Sequence, residues 1–435
     1  MTWHVIVRIG TGDAFFPTMG QHDPRLVVVF EDATNRRYVN NNVLDRIRQE
    51  LGQEPSPVVT DLLHVAMAIY SADLRVNRKH GTDRWSRDFM LHLPVSDVAM
   101  WTPVTTILSR MLHFLTGDDW KVSFRQRILH LTPEVQAVQP RNIDVVSLFS
   151  GGLDSLVGAI DLLASRQRVA LVGHHGAGMA NAVQTAVFDV LQRRFTTNAM
   201  PFMFYVQPPR SDADDGEPTM RSRSILFLSL GVAIAKTVGN GVPLVVSENG
   251  LISLNVPLTR SRTGSSSTRT THPHFLALFR QLATTLDLAV PIRTPYRFQT
   301  KGEMLRNCTS QDALRDAAIH SMSCSHPEAG RYRGHSPGQH CGYCVPCIIR
   351  RASLHAAQLP QSAYVIDVTQ NPPDPKTKTG SDFRAFQMAL ERLRHVRDSR
   401  FLFDVLATGP IPPEDASEFA GVYRRGMEEV RALLE

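Results

Sequence analysis

The sequence predicts an α/β fold in which a parallel sheet carries helices on both faces. Between residues 141 and about 300, apolar runs rich in β-branched residues alternate with segments that repeat apolar residues at helical spacing. This alternation is typical of strand–helix–strand units, whose strands pair in parallel. A turn with two glycines and two serines, Ser150–Ser155 (the glycine turn), separates the first apolar run from the first helical segment. Because ligands of such sheets bind beyond the carboxyl ends of the strands, this turn marks the candidate site.

The parallel sheet is assigned to a central domain, residues 141–358. Its strand-like and helical patterns follow one another in a regular order, which favours a single sheet. The predicted strands are Val145–Phe149, Val169–His174, Met203–Gln207, Pro243–Ser247 and Val290–Thr294, and the predicted helices are Asp154–Ala164, Ala180–Arg194, Ser222–Val238 and Phe275–Leu286.

Two further regions flank the central domain. Residues 1–140 are predicted to form an N-terminal accessory α+β domain, because short strand-like runs precede two helical patterns. Residues 359–435 are predicted to form a C-terminal helical segment, in which a linker is followed by two helices that break at Gly409–Pro413. The N-terminal patterns are the strand-like His4–Ile9 and Leu26–Phe30 and the helical Val58–Tyr70 and Val104–Leu115, and the linker is Thr369–Gly380.

The composition is that of an ordinary soluble protein. The chain has 435 residues, of which 43% are hydrophobic and 20% are charged, so two or three domains can each bury a core. It shows neither a signal-peptide pattern at its start nor an apolar run of membrane-spanning length, so we expect a cytoplasmic location without membrane contact. The net charge of +6 and the isoelectric point near 9.2 favour anionic ligands.

A run of basic residues lies between the two N-terminal helical patterns. It contains Arg75, Arg78, Arg84 and Arg87 within about fifteen residues. Such a run is compatible with docking of an acidic partner or RNA, but a solvated charged face explains it more simply, and we prefer that interpretation. Nucleic acid is therefore not the favoured partner, since the other basic residues are spread along the chain.

The glycine turn has the composition of an anion-binding loop. Gly151 and Gly152 allow a close backbone approach and positive φ, and successive N–H groups before a helix form a concavity that binds anions. Ser150 and Ser155 add hydroxyl donors. Asp154 stands at the helix start, where a carboxylate is also a good cap. A capped turn without a ligand has the same local features, so the turn alone is weak evidence.

Four of the five cysteines are clustered in the second half of the chain. The segment CGYCVPC gives two C-x-x-C steps, a spacing typical of a tetrahedral Zn²⁺ site with four thiolates. An iron–sulfur cluster takes the same ligands, so spacing alone does not choose the metal. The clustered cysteines are Cys324, Cys341, Cys344 and Cys347, and the nearby histidines that could replace one thiolate are His326, His335 and His340.

The complete string SGGLDS resembles the pyrophosphate loop of the PP-loop ATP pyrophosphatases, which have the adenine nucleotide alpha hydrolase-like fold. The P-loop motif GxxxxGK[ST] does not occur in the sequence. In the PP-loop superfamily the loop holds the outer phosphates of ATP, and AMP rather than a phosphoryl group is transferred to a substrate oxygen. The resemblance implies that Asp154 helps to hold Mg²⁺, a role that suits a carboxylate oxygen.

Together with the cysteine cluster, residues 143–352 resemble the QueC-like family, the 7-cyano-7-deazaguanine synthases. The motifs that carry the resemblance are SGGLDS, RSRSILFLSLGVAIAK (Arg221–Lys236), SENG (Ser247–Gly250), TPYRFQTKGEML (Thr294–Leu305) and SMSC…CGYCVPCIIRR. The resemblance implies that nucleotide, phosphate and metal are bound by Ser150, Gly151, Gly152, Leu153, Asp154, Ser155, His174, Glu248 and Asn249. It implies that the catalytic residues are Asp154, Arg221, Arg223 and Lys301. It also implies that structural zinc is bound by Cys324, Cys341, Cys344 and Cys347.

The resemblance implies an adenylate-forming enzyme that uses ATP, Mg²⁺ and Zn²⁺. In the family, the carboxylate of 7-carboxy-7-deazaguanine attacks ATP to give an acyl-adenylate and pyrophosphate. Ammonia then captures the acyl group with release of AMP, and a second activation gives the nitrile.

This chain departs from the family's sequence pattern after Gly250, where a long basic, serine-rich segment replaces a short acidic and aromatic one. A second departure is the end of the second strand, GHHGAG, where His174 and His175 are candidates for nucleotide contact or for a base.

The additional N-terminal and C-terminal regions resemble those of QueC-like proteins encoded with bacterial antiphage systems, of the Qat type or in CBASS operons. Such a relative is expected to join the activated deazaguanine, as an amide, to the amine of a partner protein encoded in the same operon. Three alternatives stay open: a nitrile-forming synthase that uses ammonia, a PP-loop enzyme that modifies tRNA, and a non-catalytic nucleotide-sensing subunit of a defence complex. The sequence is compatible with a homodimer and names neither the acceptor nor the oligomeric state.

Overall fold

The computed structural model describes the chain from Met1 to Glu435 except for residues 82, 129–141, 177, 197, 210–215, 218, 220, 260–268, 332–333 and 335–337. Its strands are β1 (Thr2–Ile9), β2 (Arg25–Phe30), β3 (Asn40–Asn41), β4 (Asp88–Val95), β5 (Asp119–Gln126), β6 (Val145–Leu148), β7 (Val169–His175), β8 (Ala199–Gln207), β9 (Leu244–Val245) and β10 (Ile292–Arg293). Its α-helices are α1 (Val43–Leu51), α2 (Pro57–Arg75), α3 (Val98–Trp101), α4 (Thr105–Thr116), α5 (Leu153–Ala164), α6 (Ala180–Phe195), α7 (Arg223–Val238), α8 (Gly250–Leu254), α9 (Pro273–Thr285), α10 (Lys301–Arg306), α11 (Gln311–Ala318), α12 (Val345–Ala356), α13 (Ser381–Arg392), α14 (Asp398–Leu406) and α15 (Pro413–Leu434).

The central sheet confirms the predicted α/β class. Its order in the described residues is β10-β9-β6-β7-β8-β3, and all pairs are parallel except β3 with β8. Because side chains alternate along a strand, Val145 packs into the core formed with α5 and α6, whereas Val146 packs into the core formed with α7 and α9. Each predicted central strand and helix is present, with bounds that differ by a few residues.

The N-terminal region adds a second sheet. The two predicted strands and the two predicted helices are present, whereas β3, β4 and β5 were not predicted. The order of this sheet is β2-β1-β4-β5, and its strands all pair in parallel. This region is joined closely to residues 141–358, because β3 extends the central sheet and α2 packs against α7. One continuous apolar core therefore contains side chains from both regions.

Two arginines of the basic run, Arg78 and Arg87, form a buried ion-pair cluster with Asp73 and Asp118 (the ion-pair cluster), so the solvated-face interpretation is wrong for these two residues. The Arg87 side chain is fully buried and donates to Asp73 at 2.6 Å and to Asp118 at 2.5 Å. Arg78 donates to both oxygens of Asp118, at 2.9 and 3.0 Å. The carboxylates come from α2 and from the turn between α4 and β5, which the sequence pattern does not bring together.

The C-terminal region contains three helices where the sequence predicted two. The predicted break at Gly409–Pro413 separates α14 from α15, but α13 and α14 are also distinct helices. Phe386 of α13 and Phe401 of α14 both bury against one core to which α15 contributes Phe419 and Tyr423. Two short amphipathic helices fit around the long α15 where one continuous helix would contact it along a single line. Among the helices described, none combines the length and the apolar character that a membrane span needs.

Candidate active site at the carboxyl edge of the central sheet

The glycine turn connects β6 to α5 at the carboxyl edge of the sheet. Gly151 has φ of 82°, and a Cβ atom there would lie 3.0 Å from a side-chain methyl of Val183, so both conformation and space favour glycine. The Ser155 hydroxyl donates to the Gly152 carbonyl at 3.0 Å and lies 3.2 Å from the Ser150 hydroxyl. The buried Leu153 begins α5. The turn is thus held in shape by its own hydroxyl groups, with the helix starting directly behind it.

Two contacts from outside the turn hold it in place. The Met322 amide donates to the Gly151 carbonyl at 3.0 Å. The buried Gln184 side chain of α6 donates to the carbonyls of Phe149 and His174, each at 3.3 Å, and so ties the ends of β6 and β7 together. Sequence reasoning missed Gln184. Its signal was a glutamine among the apolar residues on the buried face of α6.

Asp154 faces a lysine and an asparagine and does not cap its helix. The N-cap of α5 is Gly152, and no side chain caps that end. One Asp154 oxygen, Oδ2, accepts from the Asn249 side chain at 2.6 Å and from its backbone amide at 3.3 Å. The other, Oδ1, lies 3.1 Å from the Lys301 ammonium but accepts no well-directed hydrogen bond among the described residues. The structure therefore brings three of the predicted site residues into direct contact.

Lys301 is held by the structure around the start of α10. Thr300 and Glu303 form a capping box there, in which each side chain accepts from the other residue's backbone amide. Glu429 of α15 accepts from the Thr300 hydroxyl and from the Gly302 amide, so the C-terminal region reaches this helix. A Cβ atom at Gly302 would lie 2.3 Å from a Glu429 oxygen, which explains the glycine after the lysine. The buried Lys301 consequently has little freedom to leave Asp154.

Glu248 lies beside this pair at the end of β9. The hydroxyls of Thr270 and Thr271 donate to one of its oxygens. Burial, together with the negative charge of Asp154, raises the pKa of Glu248 to about 7. Glu248 also lines a cavity of about 110 Å³ between the sheet edge and α15, together with Arg280 and other residues. The carboxyl group is therefore able to exchange a proton near neutral pH at the wall of a small cavity.

His174 and Arg223 form a second group at the same edge. The Arg223 guanidinium donates to the His174 carbonyl at 2.8 Å and lies 3.3 Å from its ring nitrogen Nδ1. Burial and the neighbouring Arg223 hold the pKa of His174 well below its usual value, so its ring is neutral. No described carboxylate pairs with Arg223, whose guanidinium instead stacks 4.8 Å from the Phe227 ring centroid. Both histidines of the GHHGAG segment belong to β7.

Arg221 lies apart from the glycine turn. Its guanidinium donates to the Thr116 carbonyl of α4 at 2.7 Å, on the side of the buried ion-pair cluster. The neighbouring residue Ser222 donates its backbone amide to Asp73 of that cluster at 3.1 Å. The two arginines predicted for one role thus point to different surroundings, although they are two residues apart.

The four clustered cysteines come together as predicted. Their sulfur atoms all lie within 4.8 Å of one another, and three of the side chains are fully buried. The Sγ atoms of Cys341 and Cys347 are 3.8 Å apart, which matches the spacing of about 3.8 Å expected around one tetrahedral ion with Zn–S bonds of about 2.3 Å. In a four-iron cluster each thiolate binds a different iron, which spreads the sulfurs further. The donor set is therefore compatible with zinc.

The histidines near the cysteines do not replace a thiolate among the described residues. His326 stacks on Tyr343 with ring centroids 5.7 Å apart, and His340 accepts from the Ser323 amide at 3.4 Å. The backbone amide of Cys341 donates to the Cys324 sulfur at 3.3 Å, a contact that supports a charged thiolate. His335 lies outside the described residues.

The cysteine cluster lies next to the glycine turn. Met322, which donates to the turn, is two residues before Cys324. The buried Arg350 of α12 donates to the Ser321 hydroxyl at 2.9 Å and to the Ala318 carbonyl at 2.8 Å, and so fixes the intervening segment. A metal ion on the four cysteines would therefore stabilise one wall of the candidate active site.

Comparison with known proteins gives one informative similarity. No family model matches the chain. The chain is 27% identical over 237 residues to a 7-cyano-7-deazaguanine synthase from Cupriavidus necator, an alignment that covers 49% of this chain and 94% of that relative. The similarity supports an enzyme with a relationship to the QueC-like synthases over about half of the chain, and the other half has no counterpart in that relative.

Proposed function

We propose that this chain is a QueC-like PP-loop enzyme that uses ATP to activate the carboxylate of a 7-deazaguanine and transfers the acyl group to an amine. The observation that carries the proposal is the meeting of the glycine turn with the Asp154–Lys301 pair at the carboxyl edge of a parallel sheet. The similarity to a 7-cyano-7-deazaguanine synthase supports the choice of substrate class.

The outer phosphates of ATP would lie over the glycine turn. The backbone amides at the start of α5 and the hydroxyls of Ser150 and Ser155 are suitable donors to phosphate oxygens. Of the two candidate arginines we assign Arg223 to phosphate, because its charge is not neutralised by a carboxylate in the described parts of the chain. Arg221 is assigned to the contact with the N-terminal region.

Asp154 is the residue that would hold Mg²⁺ at these phosphates. Its Oδ1 atom is buried and accepts no hydrogen bond within the described residues, so a coordination position is available beside Lys301. Bound Mg²⁺ supplies neutralisation of phosphate charge. Lys301 contributes positive charge at the same place and would stabilise the charge that develops on the α-phosphate.

The reaction follows from this placement. A carboxylate oxygen of the deazaguanine attacks the α-phosphorus, the bond from that phosphorus to the bridging oxygen breaks, and pyrophosphate leaves. An amine nitrogen then attacks the acyl carbon, the bond to AMP breaks, and the nitrogen loses a proton. Glu248, whose pKa is raised to about 7, is suited to accept that proton. No protein nucleophile is needed, and the site provides positioning and charge stabilisation.

We further propose that the amine belongs to a partner protein. About half of this chain has no counterpart in the synthase it resembles, and a reaction with ammonia does not require that additional half. The tRNA-modifying alternative loses its main support, because Arg78 and Arg87 of the basic run are buried. Participation in antiphage defence stays a prediction from the family resemblance.

The test is incubation of the purified protein with ATP, Mg²⁺ and 7-carboxy-7-deazaguanine. We expect pyrophosphate to form only when the deazaguanine is present, and the variant Asp154→Asn to lose at least about a hundredfold in the rate of pyrophosphate release. The matched control is Asp316→Asn, which removes an exposed carboxylate on α11 and should leave the rate unchanged.

Mass spectrometry of the products separates the candidate functions. Efficient formation of the nitrile with ammonia alone would favour the synthase, whereas an acyl-adenylate that persists until a protein amine is supplied would favour the ligase. Absence of deazaguanine-dependent pyrophosphate formation from a folded, zinc-loaded protein would overturn the proposed function.

A further inference from the structure

A large cleft separates the N-terminal region from the C-terminal helices. Its volume is about 910 Å³, and it lies away from the glycine turn. One wall is formed by α4 and by the amino ends of β1, β4 and β5, and the other by the end of α14 and the turn that follows it. Arg269 and His274, which precede and begin α9, complete the lining. Residues of the N-terminal and C-terminal regions, outside the range 143–352 that resembles the synthases, thus contribute to the walls of this cavity.

The cleft carries positive charge that the protein does not neutralise. Arg110 and Lys121 are exposed, and neither has an acidic partner in the described parts of the chain. Among the described residues, the Arg269 side chain donates to the Phe114 carbonyl, at 3.2 Å, and stacks over the Phe114 ring. Of the two lining carboxylates, Asp119 already contacts His113 at 3.2 Å. The lining is therefore suited to a negatively charged ligand.

The rim of the cleft also exposes apolar side chains. Leu406, which lines the cleft, is 43% exposed, and Phe403 on the same helix is 65% exposed. Such residues beside unpaired cations are typical of protein interfaces. In addition, Asp119–Lys121 of the lining belong to β5, and no described strand pairs with the outer edge of β5. An extended polypeptide has backbone amides that can pair with such an edge, and a nucleic acid has none.

A short segment connects the cleft to the candidate active site. Arg269 lines the cleft, and Thr271, two residues later, donates to Glu248 and lines the small cavity beside it. Between consecutive Cα atoms the chain spans about 3.8 Å, so the two Cα atoms are at most about 7.6 Å apart. His272 is fixed to Thr408 of the opposite wall at 2.9 Å. A chain bound in the cleft would consequently lie close to the Glu248 end of the site.

We propose that the cleft docks an extended, acidic segment of the protein whose amine accepts the acyl group. This inference rests on the proposed function for the identity of the partner, but not for the docking itself. The unpaired cations would bind the acidic side chains, the exposed Leu406 and Phe403 would bind apolar ones, and Arg269–Thr271 would direct the segment toward the active site.

Charge reversal in the cleft tests the docking. The probe is a short fluorescein-labelled peptide that alternates glutamate with leucine, and the variant is the double substitution Arg110→Glu and Lys121→Glu. We expect the peptide to bind the native protein and the double variant to bind it at least about tenfold more weakly by fluorescence anisotropy. The matched control is Arg193→Glu, which reverses the charge of an exposed residue on α6 that has no acidic partner among the described residues. This control variant should bind the peptide as tightly as the native protein does.

Two further measurements, competition by an oligonucleotide and the activity of the double variant, distinguish the possible explanations of peptide binding. A single-stranded oligonucleotide of the same net charge should compete poorly; if it binds more tightly than the peptide and is lost in the double variant, the cleft is a nucleic-acid site and the proposal is wrong. Equal weakening by Arg193→Glu, or no peptide binding at all, would also overturn it. Pyrophosphate formation from ATP and 7-carboxy-7-deazaguanine should be unchanged in the double variant, so failure of that half-reaction in the native protein contradicts the proposed function and leaves the docking result standing.

Discussion

Two arginine environments meet at the start of α7, and they differ in how the positive charge is balanced. On the side of the N-terminal region, Arg87 pairs with Asp73 and Asp118, and Arg78 pairs with Asp118, in a buried network. On the side of the glycine turn, Arg223 contacts a carbonyl and the neutral ring of His174 and has no described carboxylate partner. The first environment is complete without a ligand, and the second is not.

The presence or absence of a carboxylate partner distinguishes arginines with a structural role from arginines that can bind an anionic ligand. Removing a guanidinium from water is costly, and a protein offsets the cost either with a buried carboxylate or with a ligand. Burial lowers the pKa of Arg223, which indicates that its charged form is not fully stabilised by its protein neighbours. An ATP phosphate would supply the missing negative charge.

The largest expected effect is loss of stability from Asp118→Asn. The substitution leaves two buried guanidinium groups with one fewer carboxylate, so the free energy of unfolding should fall by about 3–5 kcal/mol. Chemical denaturation measures the change. The control is Asp316→Asn, which breaks an exposed ion pair with Arg194 and should change stability little. Equal effects of the two substitutions would contradict a structural role for the cluster.

The second largest effect is expected for Arg223, whose substitution should lower activity without lowering stability. We expect Arg223→Gln to lower the rate of deazaguanine-dependent pyrophosphate formation by about a hundredfold or more, because a charge that stabilises phosphate is lost. Its free energy of unfolding should be equal to or higher than that of the native protein, since a buried charge without a carboxylate partner is removed. A loss of stability as large as that of Asp118→Asn would place Arg223 in the structural class instead.

A smaller effect is expected at Glu429, which holds the helix start that carries Lys301. Glu429→Gln replaces one acceptor oxygen by an amide NH₂ facing the Gly302 amide, so Lys301 should be less well placed and KM for ATP should rise by about tenfold. Glu428→Gln, on the exposed side of α15, is the matched control. An unchanged KM together with a lowered melting temperature would limit Glu429 to a structural role.

The smallest expected effect is a change in the pH dependence of stability when Glu248 is substituted. The folded protein keeps the proton on this carboxyl up to about pH 7, whereas an ordinary glutamate releases it near 4.5, so folding is increasingly opposed as pH rises through this window. Glu248→Gln should therefore be stabilised relative to the native protein at pH 8 more than at pH 5. Melting temperatures across this range measure the difference, and parallel curves for the two proteins would contradict the raised pKa.

Local patterns in the sequence were sufficient for the central sheet. Strand and helix periods differ, so their alternation was readable without tertiary information, and the predicted central strands and helices formed. The N-terminal strands β4 and β5 were both missed. β4 follows directly on the basic run, whose charges suggested an exposed surface. The division of the C-terminal region into three helices depended on how two short apolar faces pack on α15.

The sequence by itself determined the glycine turn and the four-cysteine cluster, because both consist of residues close together along the chain whose chemistry depends on spacing. Only the tertiary structure decided that Asp154 faces Lys301 and Asn249 without capping α5. It also decided which arginines are neutralised, since the carboxylates of Asp73 and Asp118 come from segments outside the central domain. Charge balance in a buried site depends on through-space distance, which residue order along the chain does not specify.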